Sequence, residues 1–147
     1  MCIVIDTCTF ASVFDPNSRK HNDFRPVRRW IVSGNGKVVY GGTKYKQELR
    51  KTSKYLRIIA ELSKASRVVA IPDESVDAKQ REIEKAFNHR DFDDPHIVAI
   101  VIVSGCRLIL QRKVAAFWPT SGALALPDTP DMAAISPTLR CNTNMLR

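Results

Sequence analysis

Four short apolar runs, set apart by stretches of helical character, constrain the fold of this chain more than any other feature. They are Cys2-Ile3-Val4-Ile5, Lys37-Val38-Val39-Tyr40, Arg67-Val68-Val69-Ala70-Ile71 and Arg107-Leu108-Ile109-Leu110. Each is rich in β-branched or aliphatic residues and too short for a buried helix, so each reads as a buried strand. The first stops at Asp6, the second at Gly41-Gly42 and the third at Pro72. Between them the spacing predicts helices: a short one over Thr7–Phe14, and a second opened by Asp23-Phe24-Arg25-Pro26 that ends at Gly34-Asn35-Gly36. In the second, Pro26 is tolerated in the first turn. A long helix follows Thr43, carrying Tyr45, Leu49, Leu56, Ile59, Ala60 and Leu62 on its apolar face. A fourth helix runs over Asp73–Phe87, and a fifth starts at Asp94-Pro95 and ends at Ser104-Gly105. Strands alternating with helices give a parallel sheet with right-handed crossovers, an α/β fold. The pattern stops at Gln111. Beyond it Pro119, Pro127, Pro130 and Pro137 interrupt every candidate element, so residues 112–147 read as an irregular tail after a domain of residues 1–111.

Charge is concentrated. The chain carries +8 overall, but eleven of its basic residues fall between Arg19 and Lys54, opposed there only by Asp23 and Glu48. A polyanion is the natural partner of such a segment, since phosphates displace counterions from it. Lys44 and Arg50, flanking Glu48, are candidate phosphate contacts, with Lys46 and Lys51 beside them. The four cysteines form no C-x-x-C pair and no zinc spacing with the three histidines. Cys2, Cys8 and Cys106 lie in or beside apolar runs and read as small buried residues of a reducing compartment. No apolar run reaches membrane-spanning length, which makes a cytoplasmic location the expectation.

Three acids stand where chemistry gathers. In open α/β sheets, functional groups collect beyond the carboxyl ends of the strands. Asp6 ends the first strand, Glu48 lies on the helix leaving the second, and Asp94 starts the helix that feeds the fourth. All three are thereby expected at one edge. Carboxylates crowded there repel one another unless a cation neutralises them, and oxygen-only ligands select Mg²⁺ or Mn²⁺. Each acid also has a structural role open to it. Asp6 and Asp94 are suited to capping helices, and Glu48 to pairing with Lys44 or Lys51. His96, in the first turns of an apolar helix, reads as structural or supporting rather than as a base. Trp30 and Tyr55 read as core residues.

Over residues 1–111 the chain resembles the PIN-domain nucleases, a family that includes toxin ribonucleases of bacterial toxin–antitoxin systems. Ile5-Asp6-Thr7-Cys8 is similar to their opening strand-Asp-Thr-Asn, with Cys8 replacing the Asn. Glu48 in Lys46-Gln47-Glu48-Leu49 matches their helical Glu, and Asp94-Pro95-His96-Ile97-Val98-Ala99 matches their Asp-x-His-apolar pattern. Ser104-Gly105 before the fourth strand also agrees. The resemblance implies a three-layer PIN-like fold with a parallel sheet of at least four strands. It also implies a Mg²⁺- or Mn²⁺-dependent ribonuclease whose metal ligands and catalytic acids are Asp6, Glu48 and Asp94, and whose partners are RNA, an antitoxin protein and a second copy of the chain. After the fourth strand the family places Thr or Ser, any residue, then Asp. Here Gln111-Arg112-Lys113 occupies that place, so Lys113 stands where the fourth acid belongs. A reading frame shifted near Leu110 accounts for both this and the change in sequence character, and a divergent family member with an altered site is the simpler alternative. The alternative is a catalytically weak module that binds RNA or a protein without cutting. A haloacid-dehalogenase-type phosphatase would need an Asp at position 8, and Cys8 rules it out.

Overall fold

The computed structural model describes residues 1–87 and 94–111. In chain order the elements are β1 (Cys2–Ile5), α1 (Thr7–Phe14), α2 (His21–Ser33), β2 (Lys37–Tyr40), α3 (Thr43–Arg50), α4 (Ser53–Lys64), β3 (Val68–Ala70), α5 (Asp73–Ala86), α6 (Pro95–Ser104) and β4 (Leu108–Leu110). The four strands form one sheet in the order β3-β2-β1-β4, parallel at every pairing. Ile3, Val4 and Ile5 of the central strand are all buried, as expected for a strand covered on both faces. The chain steps from β1 through β2 to β3 in one direction, then returns across the sheet to β4. Right-handed crossovers therefore put α1–α4 and the α5–α6 pair on opposite faces, giving the three-layer α/β architecture. The reversal falls between β1 and β4, at their carboxyl ends. There Asp6 N–H donates to the Leu110 carbonyl (2.9 Å), and the Thr9 hydroxyl contacts the Asp6 and Leu110 carbonyls (2.9 and 3.2 Å).

Amphipathic spacing decides how the helices sit. Phe10, Val13 and Phe14 of α1 and Phe24, Val27 and Ile31 of α2 point inward. The Phe10 ring lies 4.8 Å from Phe14 and 5.0 Å from Tyr55 by centroid, which seats α4 on α1. Tyr55 and Trp30 pack against the core as the sequence suggests. α6 is apolar on nearly every side and ends at Gly105, whose φ of 63° is the left-handed conformation that terminates helices. Among the described residues no helix is long and apolar enough to cross a membrane.

Three details differ from the sequence reading. The long helix after Thr43 is two helices. Thr52 is extended (φ −129°, ψ 103°), while the N–H groups of Lys51 and Thr52 turn back to the Glu48 and Leu49 carbonyls. The break frees α3 to lie across the carboxyl edge while α4 runs down to β3. Spacing alone hid it, because Leu49 and Leu56 are seven residues apart and so keep helical phase across the break. Glu48 consequently sits near the end of its helix. α2 begins at His21, so Pro26 is inside it on the exposed side instead of in its first turn. Finally, Cys8 is exposed and Cys2 half-buried, leaving Cys106 as the buried thiol among the described residues.

Candidate active site

Asp6 and Glu48 meet through one hydroxyl. Asp6 is the N-cap of α1, accepting from the Cys8 N–H (3.4 Å) and the Cys8 thiol (3.0 Å). The side chain of Thr7 reaches out from the first turn, donating to Glu48 Oε2 at 2.9 Å with Asp6 Oδ1 3.5 Å away. Glu48 is brought there by α3, which is anchored from below: the buried Tyr45 hydroxyl donates to the Ile5 carbonyl at 2.8 Å, and residues 45 and 48 share a helix face. Asp6 is buried, whereas the Glu48 side chain keeps 24% of its exposure, so the pair opens toward solvent at the Glu48 side.

The third element is α6. Its first turn carries Asp94 at the N-cap position, where the side chain makes no capping hydrogen bond, and His96 at the second helical position, 1% exposed. His96 Nε2 lies 3.3 Å from Glu48 Oε2, close enough to touch yet short of hydrogen-bond geometry, and neither ring nitrogen has a hydrogen-bond partner. Buried polar atoms are almost always paired, and leaving one unpaired costs about 1–3 kcal/mol, so this ring needs an explanation. Burial holds its pKa below the usual histidine value. Lys44 pushes the same way, while Glu48 and Asp94 oppose.

The helix that presents Glu48 is positioned by α5. Gly42, the N-cap of α3, has φ 86° and no capping side chain of its own. Asp73 accepts from the Gly42 N–H (2.9 Å) and Asp77 from the N–H (2.9 Å) and hydroxyl (2.5 Å) of Thr43, so the α3 N-terminus is capped from another helix. Lys46 joins this group, 2.7 Å from Asp73 and 5.1 Å from the Tyr40 ring centroid, and its ammonium holds the Asp73 carboxyl below the ordinary range.

Of the three acids expected together, the fold links Asp6 to Glu48 through the Thr7 hydroxyl and brings Asp94 to the same edge at the N-cap of α6. Glu48 meets Thr7 and His96 rather than the surface pairing with Lys44 or Lys51 open to it in the sequence. Among the described residues no group of three or more His, Cys, Asp or Glu side chains stands close enough to enclose a metal ion. The donor pair still suits one. Mg²⁺ retains most of its waters and is commonly held by one or two carboxylates. Of the candidate phosphate contacts, Arg50 and Lys51 are exposed, Lys44 is half-buried near His96, and Lys46 is committed to Asp73. Lys113 and the tail lie outside the described residues. The residues missed in the sequence are Tyr45, Asp73 and Asp77. Tyr45 looks like any core aromatic, and the two aspartates act on partners 31 and 34 residues away.

What the fold and site define is a doubly wound parallel α/β domain with a carboxylate pair at its topological switch point. Comparison with family models, with curated proteins and with solved structures returned no match.

Proposed function

We propose that this protein is a metal-dependent ribonuclease of the PIN type, cleaving phosphodiester bonds in RNA with Mg²⁺ or Mn²⁺, in the manner of toxin ribonucleases. The observation that carries the reading is the pair of carboxylates, Asp6 and Glu48, joined by the Thr7 hydroxyl at the carboxyl end of the central strand. Asp6 and Glu48 would hold the cation, with Asp94 facing the same edge and water completing the shell. Such an ion polarises a phosphoryl oxygen and lowers the pKa of a bound water. The chain's own groups do the rest. Thr7 and Cys8 fix the two carboxylates, the Tyr45 hydroxyl sets the height of Glu48 over β1, and Lys44, Arg50 and Lys51 offer positive charge to the RNA backbone on the helix that bears Glu48. A cytoplasmic setting and an antitoxin partner belong to the same proposal.

A second reading, an RNA- or protein-binding module without cleavage, is favoured by one observation: no third ligand closes on the pair among the described residues. Incubating the purified chain with single-stranded RNA and Mn²⁺ separates the two. Cleavage that stops with chelator, and in Asp6→Asn and Glu48→Gln at unchanged melting temperature, supports the nuclease. Chelator-resistant cleavage refutes it, and binding without cleavage selects the module.

A further inference from the structure

We infer that His96 is a positioning residue for Glu48: its Nε2–H donates to Glu48 Oε2, so that Oε1 is the oxygen offered to the cation. The inference rests on the reading of Asp6 and Glu48 as a cation site, and it assigns a task to a side chain which that reading leaves idle. Two independent groups, the Thr7 hydroxyl at 2.9 Å and the His96 ring at 3.3 Å, address the same oxygen of Glu48. An ionised carboxylate can only accept, so the ring nitrogen facing it must carry the hydrogen. His96 is 1% exposed, neither ring nitrogen has a hydrogen-bond partner, and its Nε2 faces this carboxylate at 3.3 Å. A ring serving only to fill space would be replaced at no loss by an apolar side chain of similar size. An imidazole aimed at a ligand carboxylate instead restricts its rotation, as outer groups do around metal ligands.

The test is Mn²⁺ binding to the full chain, by calorimetry without RNA, alongside thermal melts. Glutamine places its amide N–H₂ near the site of Nε2, and asparagine near that of Nδ1. His96→Gln is expected to keep wild-type Mn²⁺ affinity, while His96→Asn and His96→Leu lose roughly 10–100-fold. Affinity unchanged in Asn and Leu variants, with Glu48→Gln weakened, overturns the role of His96 and leaves the cation site standing. Loss in all three His96 variants in step with melting temperature also overturns it, since that is the signature of core packing. If Glu48→Gln and Asp6→Asn bind Mn²⁺ as wild type does, the cation site itself is wrong and the inference goes with it. A measurement that needs no variant is the ¹⁵N spectrum of the histidine rings in saturating Mg²⁺. Hydrogen on Nε2 of His96 supports the assignment, and a ring with hydrogen on Nδ1 alone overturns it.

Discussion

Replacing Tyr45 by Phe removes one oxygen atom and tests how the two halves of the site are held at their spacing. The hydroxyl is fully buried and donates to the Ile5 carbonyl at 2.8 Å, the last carbonyl of β1 and the one immediately before Asp6. Phenylalanine retains the ring and its edgewise packing on Tyr40, 6.4 Å between centroids, so the apolar contribution is nearly unchanged. What is lost is the hydrogen bond, with an acceptor left behind in the interior, a combination that costs about 1–3 kcal/mol. For a domain of this size each kcal/mol lowers the melting temperature by roughly 4–8 °C. Urea unfolding followed by circular dichroism measures the difference as a shift in midpoint at constant slope. The pH dependence adds a second check. Burial, with Asp6 close by, raises the Tyr45 pKa above its ordinary value, so the phenol stays protonated in the folded chain while the unfolded one ionises near pH 10. The Tyr45 contribution is thus complete below about pH 10 and falls as pH rises beyond it, so wild type and Tyr45→Phe should converge in alkali. A Phe variant within about 0.5 kcal/mol of wild type at neutral pH, the range of an ordinary surface change, would refute the clamp.

Other consequences are checked with simpler assays. Gly42→Ala should destabilise by about 1–2 kcal/mol in a thermal melt, because φ of 86° is strained for any Cβ and the new atom would stand 2.7 Å from Val76 Cγ1. Asp73→Asn should cost less than about 1 kcal/mol, since its side chain is 37% exposed and screened. Because the folded carboxyl has a depressed pKa, its contribution is present above about pH 4 and lost as pH falls below that, so variant and wild type should converge in acid denaturation. RNA affinity should fall with salt, and charge reversal at Lys44, Arg50 or Lys51 should reduce that slope by about one each. Lys46→Glu should act mainly on stability through Asp73. A slope moved instead by Arg25, Arg28 and Arg29, exposed together on α2, would transfer the binding face to that helix.

The elements themselves were legible because their signals are local. Val38-Val39, the apolar run after Pro95, and Phe24, Val27 and Ile31 at helical spacing declare period and burial within a few residues. Two boundaries were not legible, for equally local reasons. The start of α2 is set by the turn in which Ser18 accepts from His21 N–H, and no residue there advertises a cap. The break at Thr52 falls between two apolar faces that happen to stay in phase.

By itself the sequence determined the α/β class, the parallel sheet and the edge at which Asp6, Glu48 and Asp94 stand. Strand-to-helix connectivity dictates which end of the sheet each loop occupies, and that much follows from order along the chain. It could not supply the distances within that edge. Only the tertiary structure decided that Thr7 would join Asp6 to Glu48, and that Lys46 would be drawn away to Asp73. The same packing set Tyr45 as the clamp and turned His96 inward toward the same carboxylate oxygen that Thr7 holds. Each of these is a contact between elements, fixed by the angle at which α3 crosses the sheet once Tyr45 and Leu49 are buried. That angle depends on the shape of every side chain beneath the helix, and no pattern along the chain records it.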